Sequence, residues 1–135
     1  MSFVPLVKED GKTVSLLTTS ATSYTKYNGI KFSSGYAVEA ASGDPSIDYI
    51  ALETKTSATG AGADTLLCLK VDPSIRIRAT VSATPSQASH GGTRYDISAA
   101  GTIDLGATTD KVFLIERVVD ATNLLVEGYF MQPIA

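Results

Sequence analysis

Few residues in this chain could carry chemistry. His90 is its only histidine and Cys68 its only cysteine. Any histidine-based triad would have to use His90, which lies in Ser89-His90-Gly91-Gly92. A serine next to a histidine in sequence is not a nucleophile facing its base in space, and no G-x-S-x-G elbow occurs. His90 therefore reads as a solvated loop residue. Cys68 stands within Leu67-Cys68-Leu69, where a free thiol behaves as a small hydrophobe. A reactive thiolate needs a cationic, partly exposed setting, which Lys70 alone would have to supply. One cysteine makes no internal disulfide, and no Cys/His set has zinc spacing.

The acids are similarly unpromising. Asp44, Asp48 and Glu53 lie close in sequence, as do Asp104 and Asp110. A glycosidase pair needs two carboxylates facing each other across a cleft, and the chain has no Trp to serve as a sugar platform. These acids read as turn and strand-face residues. No calcium-loop pattern is present. Gly60-Ala61-Gly62 lacks the Lys-Ser/Thr ending and the following helix of a phosphate loop, so it reads as a flexible hairpin loop. Arg76 and Arg78 leave two readings open: a patch facing an acidic partner, or a face that is solvated or bonds cross-strand acids. The residues thus predict no enzyme, no cofactor and no metal site.

Composition narrows the class further. Ser, Thr, Ala and Gly make up 57 of the 135 residues, and the net charge is −3. Nucleic-acid binding requires clustered Lys and Arg for phosphate contacts, so no nucleic-acid partner is expected. No apolar run approaches the ~20 residues of a membrane helix. Nor is Met1 followed by the basic and apolar segments of a secretory signal, so neither membrane nor secretory targeting is expected. A hydrophobic fraction of 44% still argues for a packed core.

The elements that must hold these residues are strands. No window shows clean helical spacing, whereas short apolar runs alternate with turn residues. Ile75-Arg76-Ile77-Arg78-Ala79-Thr80-Val81 alternates strictly, the period of a half-buried strand. Residues 47–54 and 66–71 read as strands, as do 36–40, 93–97 and 103–105. Lys111–Val119 and Leu124–Met131 read as a C-terminal hairpin joined by Asp120–Asn123, with Leu124, Val126, Gly128 and Phe130 on one face. Thr84–His90 would fit one helical turn. The fold class is all-β: a small antiparallel β-barrel, β-tulip or sandwich with seven to nine strands at ~10-residue spacing.

The N-terminal third reads differently. Residues 1–26 are expected to form an extended arm and 27–135 a single β domain. Phe3, Val4, Pro5, Leu6 and Val7 are too apolar for a free tail. They either pack as the first strand or dock onto a neighbouring chain by strand addition. Thr13–Lys26 is rich in Ser and Thr and reads as a weak edge strand or a loose extension.

From Ile30 to Met131 the order of motifs has a known look. An apolar strand and the Ile-x-Ile-x-Ala strand precede Gly91-Gly92-Thr93-Arg94-Tyr95-Asp96-Ile97. The stretch Gly101–Asp104 and a hairpin ending in Glu127-Gly128-Tyr129-Phe130 follow. This pattern resembles the capsid decoration (cement) proteins of tailed bacteriophages, the family of the lambda head decoration protein. The resemblance implies a structural virion protein with a β-barrel or β-tulip body. It would assemble in the host cytoplasm as a homotrimer on the capsid exterior and stabilise the shell. Its partner would be the major capsid protein, contacted by Phe3–Val7; the Arg76 and Arg78 pair read above from the residues themselves is a further candidate interface patch. The alternative is a tail, fibre or baseplate module that recognises a host-surface glycan through Tyr24, Tyr27 or Tyr36.

Overall fold

The computed structural model describes residues 2–6, 13–71, 73, 75–86 and 93–131. These form thirteen strands with no helix among the described residues. In chain order they are β1 (Phe3–Pro5), β2 (Thr13–Leu17), β3 (Ser23–Tyr24), β4 (Gly29–Ser33), β5 (Tyr36–Glu39), β6 (Tyr49–Ala51) and β7 (Lys55–Thr56). The remainder are β8 (Thr65–Lys70), β9 (Ile77–Val81), β10 (Arg94–Ala99), β11 (Thr102–Asp104), β12 (Phe113–Asp120) and β13 (Leu125–Phe130). The all-β class read from the sequence is what the structure has.

The alternating strand β9 organises the first of the two larger sheets; β3 and β7 pair as a small third one. One of its edges pairs antiparallel with β13. Its other edge pairs antiparallel with β1 beside Ile77–Ala79 and parallel with β11 beside Thr80–Val81. Strands β11, β10, β12 and β13 then pair in turn, so the five strands β9-β11-β10-β12-β13 return to β9 and close a ring. Closure removes the free edges that an open sheet would expose. The inward face follows from the register. Ile77, Ala79 and Val81 share it with Val126, Gly128, Ile103, Ile97, Phe113 and Phe130, and all are buried. Phe130 packs edge-on against both Phe113 (centroids 5.0 Å apart) and Phe3 (4.9 Å).

The second sheet has the order β2-β8-β6-β4-β5. A parallel bridge between Thr18 and Ala37 brings its two outer strands together, so this sheet also curls towards closure. Ile50 and Leu69 on its outer face join the core of the first sheet. Its inner face holds a smaller cluster: Leu16, Ile30, Ala37, Ala51, Leu66 and Cys68, capped by Tyr24. The Tyr24 hydroxyl is the polar centre of that cap. It donates to the Ala37 carbonyl at 2.6 Å, accepts the Thr19 N–H at 3.0 Å and meets the Thr19 hydroxyl at 2.9 Å. Tyr24→Phe is expected to cost about 1–3 kcal/mol, because it strands these buried partners. A shift in the urea midpoint relative to wild type reads the loss.

Two readings of the N-terminal third, and one of the loop after β7, are revised. Of the two readings of Phe3, Val4 and Pro5, packing as the first strand is what the structure has, so they are not the separate arm expected of residues 1–26. Phe3 is 0% exposed and its N–H donates to the Tyr27 carbonyl at 2.8 Å. Leu6 follows with its N–H on the Arg76 carbonyl at 3.0 Å, and Val7 lies outside the described residues. The division after residue 26 also disappears, because β2 and β3 pair with β8 and β7. Burial of Phe3 and Tyr24 ties the stretch to both cores. Finally, the loop after β7 is tied down, not free. Asp64 accepts the Ala58 N–H at 2.7 Å, and Gly62 and Gly60 donate to Thr18 and Ser20. Backbone and hydroxyl bonds do here what large side chains do elsewhere. The helical turn read at Thr84–His90 falls largely outside the described residues.

Candidate functional site

The outer face of the first sheet gathers the two arginines singled out in the sequence. Alternation that buries Ile77 and Ala79 turns Arg76 and Arg78 outward, opposite Glu127 and Tyr129 of β13. Arg78 donates to Glu127 at 2.8 Å, and Arg117 of β12 reaches the other carboxylate oxygen at 2.9 Å. Arg76 pairs with Glu116 at 2.5 Å and with the Tyr129 hydroxyl at 3.3 Å; that hydroxyl also donates to Glu116. Of the two readings for Arg76 and Arg78, the cross-strand ion pairs are what the structure displays.

Glu127, which sequence reasoning missed, is the centre of this network and only 4% exposed. The hydrogen bond from Arg117, seconded by Arg78, holds its carboxyl below the usual carboxylate range against the opposing effect of burial. A depressed folded-state value means the pair stabilises fully above the ordinary glutamate pKa and fades as pH falls through the lowered one. Glu127→Gln is therefore expected to lower stability by about 1–3 kcal/mol at neutral pH. Urea titrations run from neutral to strongly acidic pH should show the difference shrinking towards zero at the acid end. A gap that persists unchanged would refute the assignment.

Cys68 is fully buried in the inner cluster, and burial, with Glu53 nearby, pushes its thiol up to about 12. It donates weakly to the Leu66 carbonyl at 3.6 Å. A thiol reagent at pH 8 is expected to leave Cys68 unmodified in the folded protein and to react fully once urea unfolds it; prompt labelling of folded protein contradicts this. The acids are dispersed on structural duties. Asp44 pairs with Lys31 at 3.3 Å, Glu53 accepts the Leu67 N–H at 3.0 Å, and Asp104 accepts that of Gly106 at 2.8 Å. Asp96, which the sequence reading passed over, accepts the backbone N–H groups of Thr109, Asp110 and Lys111 and so fixes the loop before β12. His90 lies outside the described residues. No group of three or more metal-binding side chains occurs among the described residues.

Two other surfaces remain. At the seam of the second sheet, Leu17 (47% exposed) and Leu67 (40%) lie diagonally on the outer face of β2 and β8. Val38 of β5 is also exposed, and Gly62 sits between the Leu17 side chain and the Tyr36 ring. On the opposite face, Phe32, Asp48, Tyr49, Lys70 and Val71 line a cleft of about 240 Å³. Of the tyrosines proposed for glycan contact, Tyr24 is buried and Tyr27 packs against the main core. No family model, curated protein or solved structure matches the chain.

Proposed function

We propose that this chain is a structural virion protein that binds the exterior of a tailed-phage capsid and stabilises it. It acts as a homotrimer with the major capsid protein as its partner, and it is not an enzyme. The motif order from Ile30 to Met131 supports this reading, and the observation that carries it furthest is the apolar seam on a body of two filled sheets. Leu17, Leu67 and Val38 lie beside strands β2 and β5, which meet through a single bridge. A shell protein could cover these side chains and pair with the adjoining strand edges. Each backbone hydrogen bond gained would contribute only about 1 kcal/mol, but many copies on a symmetric shell multiply weak contacts. Because Phe3, Val4 and Pro5 are committed to the first sheet, the contact surface is assigned to the seam in place of the N-terminal segment.

The test uses phage heads freed of minor proteins. Purified chain is expected to co-sediment with them and to raise the temperature at which they release DNA. Leu17→Asp combined with Leu67→Asp should abolish retention while leaving the thermal midpoint of the free chain within a few degrees. Heads that neither retain the wild-type chain nor gain heat resistance rule the reading out.

A further inference from the structure

The cleft on the second sheet lies away from the seam and is not accounted for by capsid attachment. Three adjacent strands build it. Register places Ile30 opposite Tyr49 and Tyr49 opposite Lys70, so Phe32, Tyr49 and Lys70 share one sheet face. Phe32 is 44% exposed, and its ring meets that of Tyr49 at 6.4 Å with the planes 67° apart. The Phe32 side chain is thus partly open to solvent beside a second ring set edge-on to it. The rim carries one group of each sign. Asp48 is oriented by the Phe32 N–H on its Oδ2 at 3.2 Å, and its Oδ1 has no hydrogen bond among the described residues. Lys70 is exposed and forms no ion pair among the described residues, not even with Asp48. The cleft floor is fixed by the Val71 N–H on the Asp48 carbonyl at 3.1 Å.

We propose that this cleft binds one pyranose unit of a carbohydrate. A sugar ring has an apolar face of C–H groups and a rim of hydroxyls that both donate and accept. The first suits stacking on Phe32. The second suits a carboxylate acceptor and an ammonium donor that line one cleft but are not spent on each other. A cleft of about 240 Å³ holds one ring and leaves its neighbours in a chain outside. A shallow, open site of this kind binds in the millimolar range, and repetition over many copies would make it effective.

The experiment is saturation-transfer difference NMR on the full chain with the methyl glycosides of glucose, galactose, mannose and N-acetylglucosamine, alongside free phenylalanine and leucine. Saturation is expected to reach the ring protons of at least one glycoside. Phe32→Ala should weaken that binding about tenfold or more, the scale of a lost aromatic contact. Lys70→Ala, an exposed change that leaves the fold intact, should weaken it too. Thermal midpoints of both variants verify folding. No transfer to any glycoside overturns the proposal. So does transfer that both folded variants retain, or transfer to the free amino acids alone, which would make the cleft a zwitterion site.

Discussion

Phe3→Ala should cost about 3–5 kcal/mol of folding stability, the range for emptying a fully buried aromatic site. Phe3 is 0% exposed, lies opposite Ala79 across the β1–β9 pair, and packs its ring on Phe130. The aromatic contact adds about 1 kcal/mol to the burial itself. Removing the ring also opens the space against which Gly29 is set, since a Cβ there would lie 3.2 Å from Phe3 Cε2. The measurement is the urea midpoint at constant slope. An external arm would give no shift, so an unchanged midpoint would restore that reading and discard the strand. Leu6, half-exposed beyond the end of β1, serves as the internal contrast: Leu6→Ala should change the midpoint far less.

The second large effect is expected at Gly128. Its φ is not in the left-handed region, so the requirement is space. A Cβ at this position would stand 1.9 Å from the Leu114 carbonyl oxygen and 3.0 Å from Phe113 Cε1. The obstructing atom is backbone, which cannot rotate away as a side-chain tip can. Gly128 faces Ile115 on β12 and Ile77 on β9 and is buried in the first sheet. Adding a methyl group must push β12 from β13 where the register between them shifts, just past Ile115. The loss is expected at or above the upper end of the ~1–3 kcal/mol typical of overpacked cores. Thermal unfolding of Gly128→Ala should show a midpoint lowered by many degrees or no cooperative transition. A variant that melts with the wild type would mean that the strands separate freely.

Strands whose apolar residues alternate announced themselves, because one buried face leaves a period of two in the sequence. That is why β9 was legible, and with it the inward set Val126, Gly128 and Phe130 of β13, whereas β8 and β12 stood out by unbroken apolar runs. The N-terminal third was not, for a different physical reason. Thr18, Thr19, Thr22 and Ser57 hold β2, β3 and the loop near β7 by hydroxyl and backbone bonds, and such bonds leave no hydrophobic period to read. Tyr24 shows the same limit, since its burial follows from the hydroxyl partners it finds across the sheet. The charged face was half legible. Alternation alone turns Arg76 and Arg78 outward. That Glu127 waits opposite them depends on β13 returning to β9, a pairing between distant segments that no local pattern encodes. The aromatic cleft was missed likewise, because Phe32, Tyr49 and Lys70 come from three strands.

The three-way pairing of β9 bears on how the chain acquires its structure. Strand β1 leaves the ribosome well before β13, yet both lie against β9, and the rings of Phe3 and Phe130 touch. During vectorial synthesis β1 can dock on β9 early, but the ring of strands cannot close until the β12–β13 hairpin has emerged. Closure is therefore a late, high-contact-order event of the slow kind. Until then β9 exposes the edge that β13 will occupy, and that edge is open to β13 of another nascent copy.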